Sequence, residues 1–284
     1  MKKIDAKAVQ IVVPPPMCFP ILAFHDIDKI LNCNYNSDMM NYRFSRFWAF
    51  TLAEVLITLA IIGIVAALTI PNLIFKYQEK QTVSRLTKAY STINNAYQRA
   101  KIDNGELSTW GFEGNSTGSS YSNNAYLFWE KITPYLKIDD KKTSQDDANR
   151  FEYKRYFLTG VPNNNSVSTI VHLADGMTLS GGWISNYKCN NRNICGDFHI
   201  DINGITNLPN TIGKDIFYFY IYKDAIIPMG TKDDRQYPIE LSCNLNSTIT
   251  NNGYGCTAWV IYNKNMDYLR CNDLSWNYKH SCNE

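Results

Sequence analysis

Residues 55–75 read VLITLAIIGIVAALTIPNLIF, 21 consecutive positions without a charged side chain. As a helix rising about 1.5 Å per residue, this stretch is roughly 30 Å long, the thickness of a bilayer's hydrocarbon core. Two other readings of such a run are the buried helix of a large soluble domain and the core of a cleaved secretory signal. The run exceeds the roughly 7–15 residues of a signal core, and Glu54 stands at its head. Pro71-Asn72-Leu73 follows where a small-x-small cleavage site belongs. A single membrane-spanning helix over 55–75 is therefore expected. Lys76, Lys80, Arg85 and Lys88 follow the run while Arg43 and Arg46 precede it, so the flanking charge does not fix its orientation.

Outward from this stretch, composition narrows the class. The 284 residues carry 28 basic and 26 acidic side chains, a net charge of +2, which excludes a polybasic nucleic-acid binder. A hydrophobic content of 45% with 13% aromatics excludes intrinsic disorder. Asparagine occurs 31 times, favouring turns and long loops over a helical bundle.

Immediately before the apolar run stands Ala49-Phe50-Thr51-Leu52-Ala53-Glu54. The joined stretch, FTLAEVLITLAIIGIVAALTIP, resembles the prepilin family, the type IV pilins and the pseudopilins of type II secretion systems. The resemblance implies that a prepilin peptidase cuts between Ala49 and Phe50, that Phe50 is then N-methylated, and that Glu54 is the fifth mature residue. Pro71 matches the family's helix-bending proline, whereas Ala49 departs from the usual glycine before the cut. A carboxylate on an apolar helix is costly and normally has a partner. Pairing Glu54 with the amino group of Phe50 on a neighbouring subunit would neutralise two charges and set the axial register of a filament. The bland alternative is that Glu54 snorkels at the membrane interface.

On this reading residues 1–49 are a leader. Its first part, 1–39, holds Pro14-Pro15-Pro16 without helical periodicity, and the short basic stretch from Met40 carries Arg43 and Arg46. Translation from Met39 or Met40 is expected, with the upstream residues a gene-model extension. Residues 50–101 form one long helix. Val83, Leu86, Tyr90, Ile93 and Tyr97 mark an amphipathic second half, and Asp103-Asn104-Gly105 a stop.

Residues 102–284 are expected to form an α+β head outside the cytoplasm, an antiparallel sheet packed on that helix. Loops are expected over 108–124 and a short helix over 126–136. Strands are expected at 169–173, 198–202, 216–222 and 257–262, with Asp175-Gly176 turning a hairpin. Cys18 and Cys33 fall in the leader; Cys189, Cys195, Cys243, Cys256, Cys271 and Cys282 fall in the head and suit an oxidising compartment. Of the pairings these six allow, sequence neighbours (189 with 195, 243 with 256, 271 with 282) are the ones expected. A zinc site at Cys189, Cys195 and His199 is the rival reading.

Asp201, Asn203 and Asp215 lie in a segment that also resembles prepilin-like proteins of the secretion class, some of which hold calcium in a late loop. The alternative there is a tight, self-bonded turn around Gly204 and Gly213. Nucleophile elbows, P-loops, H-E-x-x-H and dinucleotide fingerprints do not occur. The expectation is a non-enzymatic filament subunit, stored in a bacterial inner membrane, partnered by copies of itself or related pilins and by the peptidase and methyltransferase. A minor pilin with an adhesive head and a membrane-anchored periplasmic enzyme are the competing readings.

Overall fold

The computed structural model describes residues 51–113, 119–139, 153–165, 169–185, 189 and 193–283. Residues 1–50, among them Cys18, Cys33, Ala49 and Phe50, lie outside them. Residues 57–284 form one compact unit, and α1 spans Leu52–Asn104.

Helix α1 is 53 residues long, about 80 Å. It opens on Thr51, whose Oγ1 accepts the Glu54 amide at 3.2 Å while Glu54 Oε2 accepts the Thr51 amide at 2.9 Å. That reciprocal pair is a capping box, satisfying helix-start donors otherwise left open. The helix continues through Pro71. Just beyond it Asn72 Nδ2 donates to the Leu68 carbonyl at 3.5 Å. Gly105, at φ 79°, takes the left-handed conformation that ends it.

The two halves of α1 differ in surroundings. From Leu52 to Phe75 the large apolar side chains are 42% (Val55) to 79% (Leu52) exposed. From Leu86 onward, Leu86, Ala89, Ile93, Ala96, Tyr97 and Ala100 are buried, a stripe with helical spacing. Ala89, Ala96 and Ala100 join Leu86, Ile93 and Tyr97 in the core shared with the sheet.

After a 3-10 turn at Leu107–Thr109 comes α2 (Ser119–Ile132), then a second 3-10 turn at Thr133–Tyr135. The helix expected at 126–136 thus begins seven residues earlier, inside the stretch read as loop. Its Ser- and Asn-rich first turns carry little apolar signal, and Ala125, Phe128, Trp129 and Ile132 supply the packing face.

The short pair β1 (Arg155–Tyr156) and β2 (Pro162–Asn163) is antiparallel. The main sheet is a five-stranded antiparallel meander: β3 (Ile170–His172), β4 (Thr178–Ile184), β5 (Ile194–Asp201), β6 (Ile216–Tyr222) and β7 (Ile226–Pro228), hydrogen-bonded in that order. The Asp175-Gly176 turn joins β3 to β4 as expected, with Gly176 at φ 84°. The α+β class read from the sequence is the class observed.

Strand β6, IFYFYIY, shows how the sheet is used. Phe217, Phe219 and Ile221 face a core shared with α1 and α2; Ile216, Tyr218 and Tyr220 face a second, smaller core. On the first face Tyr90 stacks on Phe219 at 5.7 Å, and Trp129 meets Phe198 edge-on at 5.4 Å. The far end of α1 is tied to the β6–β7 turn, where the Tyr97 hydroxyl donates to the carbonyls of Tyr222 (2.7 Å) and Lys223 (2.9 Å).

The last expected strand, 257–262, is a helix. After the short α3 (Ile239–Ser242), α4 spans Cys256–Asn263, with Cys256 through Ile261 all buried. A short apolar run buried on every side has no polar face to reveal its period, so its β-branched and aromatic content misleads. Its Thr257 Oγ1 accepts the Tyr218 amide at 2.9 Å, locking α4 onto β6.

Candidate functional site

Three regions collect the residues singled out in the sequence. The first is the start of α1. Glu54 sits in the first turn, engaged by Thr51, whose hydroxyl also donates to Glu54 Oε2 at 3.0 Å. Sequence reasoning overlooked Thr51, although the T-x-x-E spacing is the signature of a capping box. Pro71 lies in the exposed half of the helix. One helix in the described residues, α1, is long and apolar enough to cross a membrane.

The second region is the turn between β5 and β6. It brings Asp201, Asn203 and Asp215 together around the cis Leu208–Pro209 bond. Asp201 Oδ1 accepts the amides of Asn203 (3.2 Å) and Gly204 (2.8 Å), and its Oδ2 accepts the Tyr153 hydroxyl at 2.7 Å. Asp215 Oδ2 accepts the Asn210 amide at 2.8 Å and Asn203 Nδ2 at 3.3 Å; its Oδ1 accepts the Thr211 amide. Both carboxylates therefore face N–H and O–H donors, the arrangement of a self-bonded turn, and a cation would have to displace those donors. Among the described residues no group of three or more His, Cys, Asp or Glu side chains is placed to hold a metal ion.

Beside this turn lies a polar layer under the β1–β2 hairpin. Arg155, His199, Asp201 and Tyr218 are each 5% exposed or less. Arg155 Nη1 donates to Tyr218 Oη at 3.0 Å and lies 3.5 Å from His199 Nε2, while its Nη2 donates to the Asn165 carbonyl. The rings of His199 and Tyr218 stack at 4.8 Å, and those of Tyr218 and Tyr254 at 4.0 Å. Burial, reinforced by the Arg155 charge, holds His199 well below its ordinary value, so the ring is neutral. Burial pushes the Asp201 carboxyl up to about 7; the Tyr153 hydrogen bond opposes this and the nearby Asp215 adds to it. Burial likewise raises Asp215. No sequence signal joins these residues, which come from β1, β5 and β6.

The six head cysteines form three disulfides: Cys189–Cys195, Cys243–Cys256 and Cys271–Cys282. The zinc reading of Cys189, Cys195 and His199 is thereby overturned, because the two sulfurs are bonded to each other and are not thiolate ligands. The second bridge ties α3 to α4.

The third region is an open cleft of about 1180 Å³ between α1 and the base of the head. Asn72, Phe75, Lys76 and Glu79 form its helix wall; Leu208, Pro209 and Lys214 come from the β5–β6 turn, and Leu269 and Arg270 from the C-terminal segment.

These features define an α+β chain with one long helix whose first half is apolar and exposed. The chain belongs to a family of unknown function, DUF6613, whose profile matches residues 72–266. No curated protein and no solved structure matches it.

Proposed function

We propose that the chain is a prepilin-type filament subunit, anchored in a membrane by the first half of α1 and assembled through that half into a pilus or secretion pseudopilus. The observation that carries this reading is the division of α1. Its apolar residues from Leu52 to Phe75 are exposed, while its second half is built into the head. An apolar helical surface of this length needs lipid or other helices around it, since water would leave it unsatisfied. The motif Ala49-Phe50 and Glu54 supplies the processing and register elements; the capping box gives the Glu54 carboxylate partners before assembly. The head's role is then structural, its disulfides suited to an extracytoplasmic compartment.

Mass spectrometry of the mature N-terminus from native cells tests this. N-methyl-phenylalanine at Phe50 is expected; an uncut Ala49–Phe50 bond refutes the proposal. Glu54→Ala is expected to leave the chain in the membrane and remove it from sheared filaments.

A further inference from the structure

We propose that the base of the head docks on the anionic phospholipid headgroups of the same bilayer that α1 crosses, through the cleft that Lys76, Lys214 and Leu208 share. The inference rests on the membrane-spanning reading of α1 and adds a second, head-borne membrane contact to it.

Position comes first. The uncharged run ends at Phe75, and Lys76 to Lys80 lie within about 8 Å of it along the helix. A headgroup layer is roughly 5–8 Å deep on each side of the hydrocarbon core, so this segment lies inside it. Its side chains are those of an interfacial belt: Tyr77 is 67% exposed, and Lys76 and Lys80 are exposed on either side. The cleft begins at the same level, since Asn72, Phe75 and Lys76 line it together with Leu208 and Lys214.

Charge comes second. Arg270 pairs with both Glu79 and Asp267, a group of net −1, and the Arg85 guanidinium on the same cleft offsets that surplus. Asp215 is buried against its N–H donors. Neither Lys76 nor Lys214 has an ion-pair partner among the described residues. Two ammonium groups are thus left without counter-charge on a cleft opening at the level of lipid phosphates, a geometry that attracts anionic headgroups. Leu208, 79% exposed on the turn before Pro209, is an apolar tip that the described residues leave largely uncovered. Acyl chains just beneath the phosphates supply that cover.

The test uses the full chain in lipid nanodiscs. Leu208→Trp places a fluorophore at the tip, and lipids brominated near the headgroup quench indole emission at short range. Quenching above that of the wild-type chain is expected in phosphatidylglycerol discs. Charge reversal by Lys76→Glu with Lys214→Glu is expected to lower the docked-to-undocked ratio at least about fivefold for each lysine changed. Incorporation into discs without extra quenching of Leu208→Trp overturns the docking while leaving the anchoring intact. Failure to incorporate refutes the anchoring itself. Equal quenching in phosphatidylcholine discs, unaffected by the charge reversals, overturns the recognition of anionic headgroups. Quenching lost when each disc holds one chain assigns the cleft to a second copy, and overturns it too.

Discussion

Asp201 is the place where solution pH should reach furthest into the head. Its carboxyl is 1% exposed and pushed from an ordinary 3.8 up to about 7. Below pH 3.8 the folded and unfolded chains both hold this proton. Between 3.8 and about 7 the unfolded chain has released it and the folded chain has not, so stability falls as pH rises, by up to about 1.4 kcal/mol per pH unit. Above about 7 both forms are ionised and the loss is complete, on the order of 4 kcal/mol. Asp215, raised by its own burial, acts in the same direction. His199 acts in the opposite one: held below its ordinary 6.5, it costs stability as the pH falls through that value and the unfolded ring takes a proton.

Asp201→Asn isolates the first contribution. The amide oxygen keeps the Asn203 and Gly204 amides, the amide nitrogen can donate to the Tyr153 hydroxyl, and no proton is left to lose. Urea unfolding of the detergent-solubilised chain, followed by the fluorescence of the buried Trp129 and Trp259, is the assay. Between about pH 5 and about pH 8 the wild type is expected to lose on the order of 3 kcal/mol relative to the variant. Parallel stability curves for the two proteins across that range would refute the reasoning.

Other perturbations have expected outcomes of known sign. Thr51→Ala removes the helix-start cap, costing about 1 kcal/mol, and should speed amide hydrogen exchange in the first turn of α1 while leaving the head's exchange unchanged. Gly230→Ala should cost about 3 kcal/mol or more of stability, read as a steep fall in the melting temperature. Its φ is 86° and a Cβ there would sit 1.8 Å from the Gly255 carbonyl oxygen. Replacing Cys243 and Cys256 together by Ala opens a bridge closing a 13-residue separation; a loss of about 3 kcal/mol in denaturant titration is expected.

How much could be read from the chain varies with the kind of signal. The membrane-length run and the amphipathic stripe from Val83 to Tyr97 were legible because the first buries no face and the second one face with a regular period; strand β6, buried on both faces, was legible from its β-branched and aromatic content. The three disulfides joined sequence neighbours, the shortest loops available. Helix α4 was misread because burial on all sides erases its period, and α2 started early because serines and asparagines hide an apolar face. The Arg155–His199–Tyr218 network was not legible: its members lie 44 and 63 positions from Arg155, and only the sheet and its covering hairpin bring them together. The cleft was hidden for the same reason, since Lys76 and Lys214 are brought to one opening by the docking of α1 on the head.

The stripe from Leu86 to Ala100 also sets how the molecule bears load. These contacts are laid out along about 21 Å of the helix axis. A pull along that axis strains them together, in shear, instead of peeling them one after another. The three disulfides among the described residues lie beyond residue 188, and α1 itself holds no cysteine. Mechanical strength at this joint therefore comes from non-covalent contacts: the packed stripe, the Tyr97 hydrogen bonds, and the ion pairs of Glu79 with Arg270, Lys88 with Asp175 and Lys101 with Asp224. Under tension the helix would slide out of its seat before any covalent bridge was stretched.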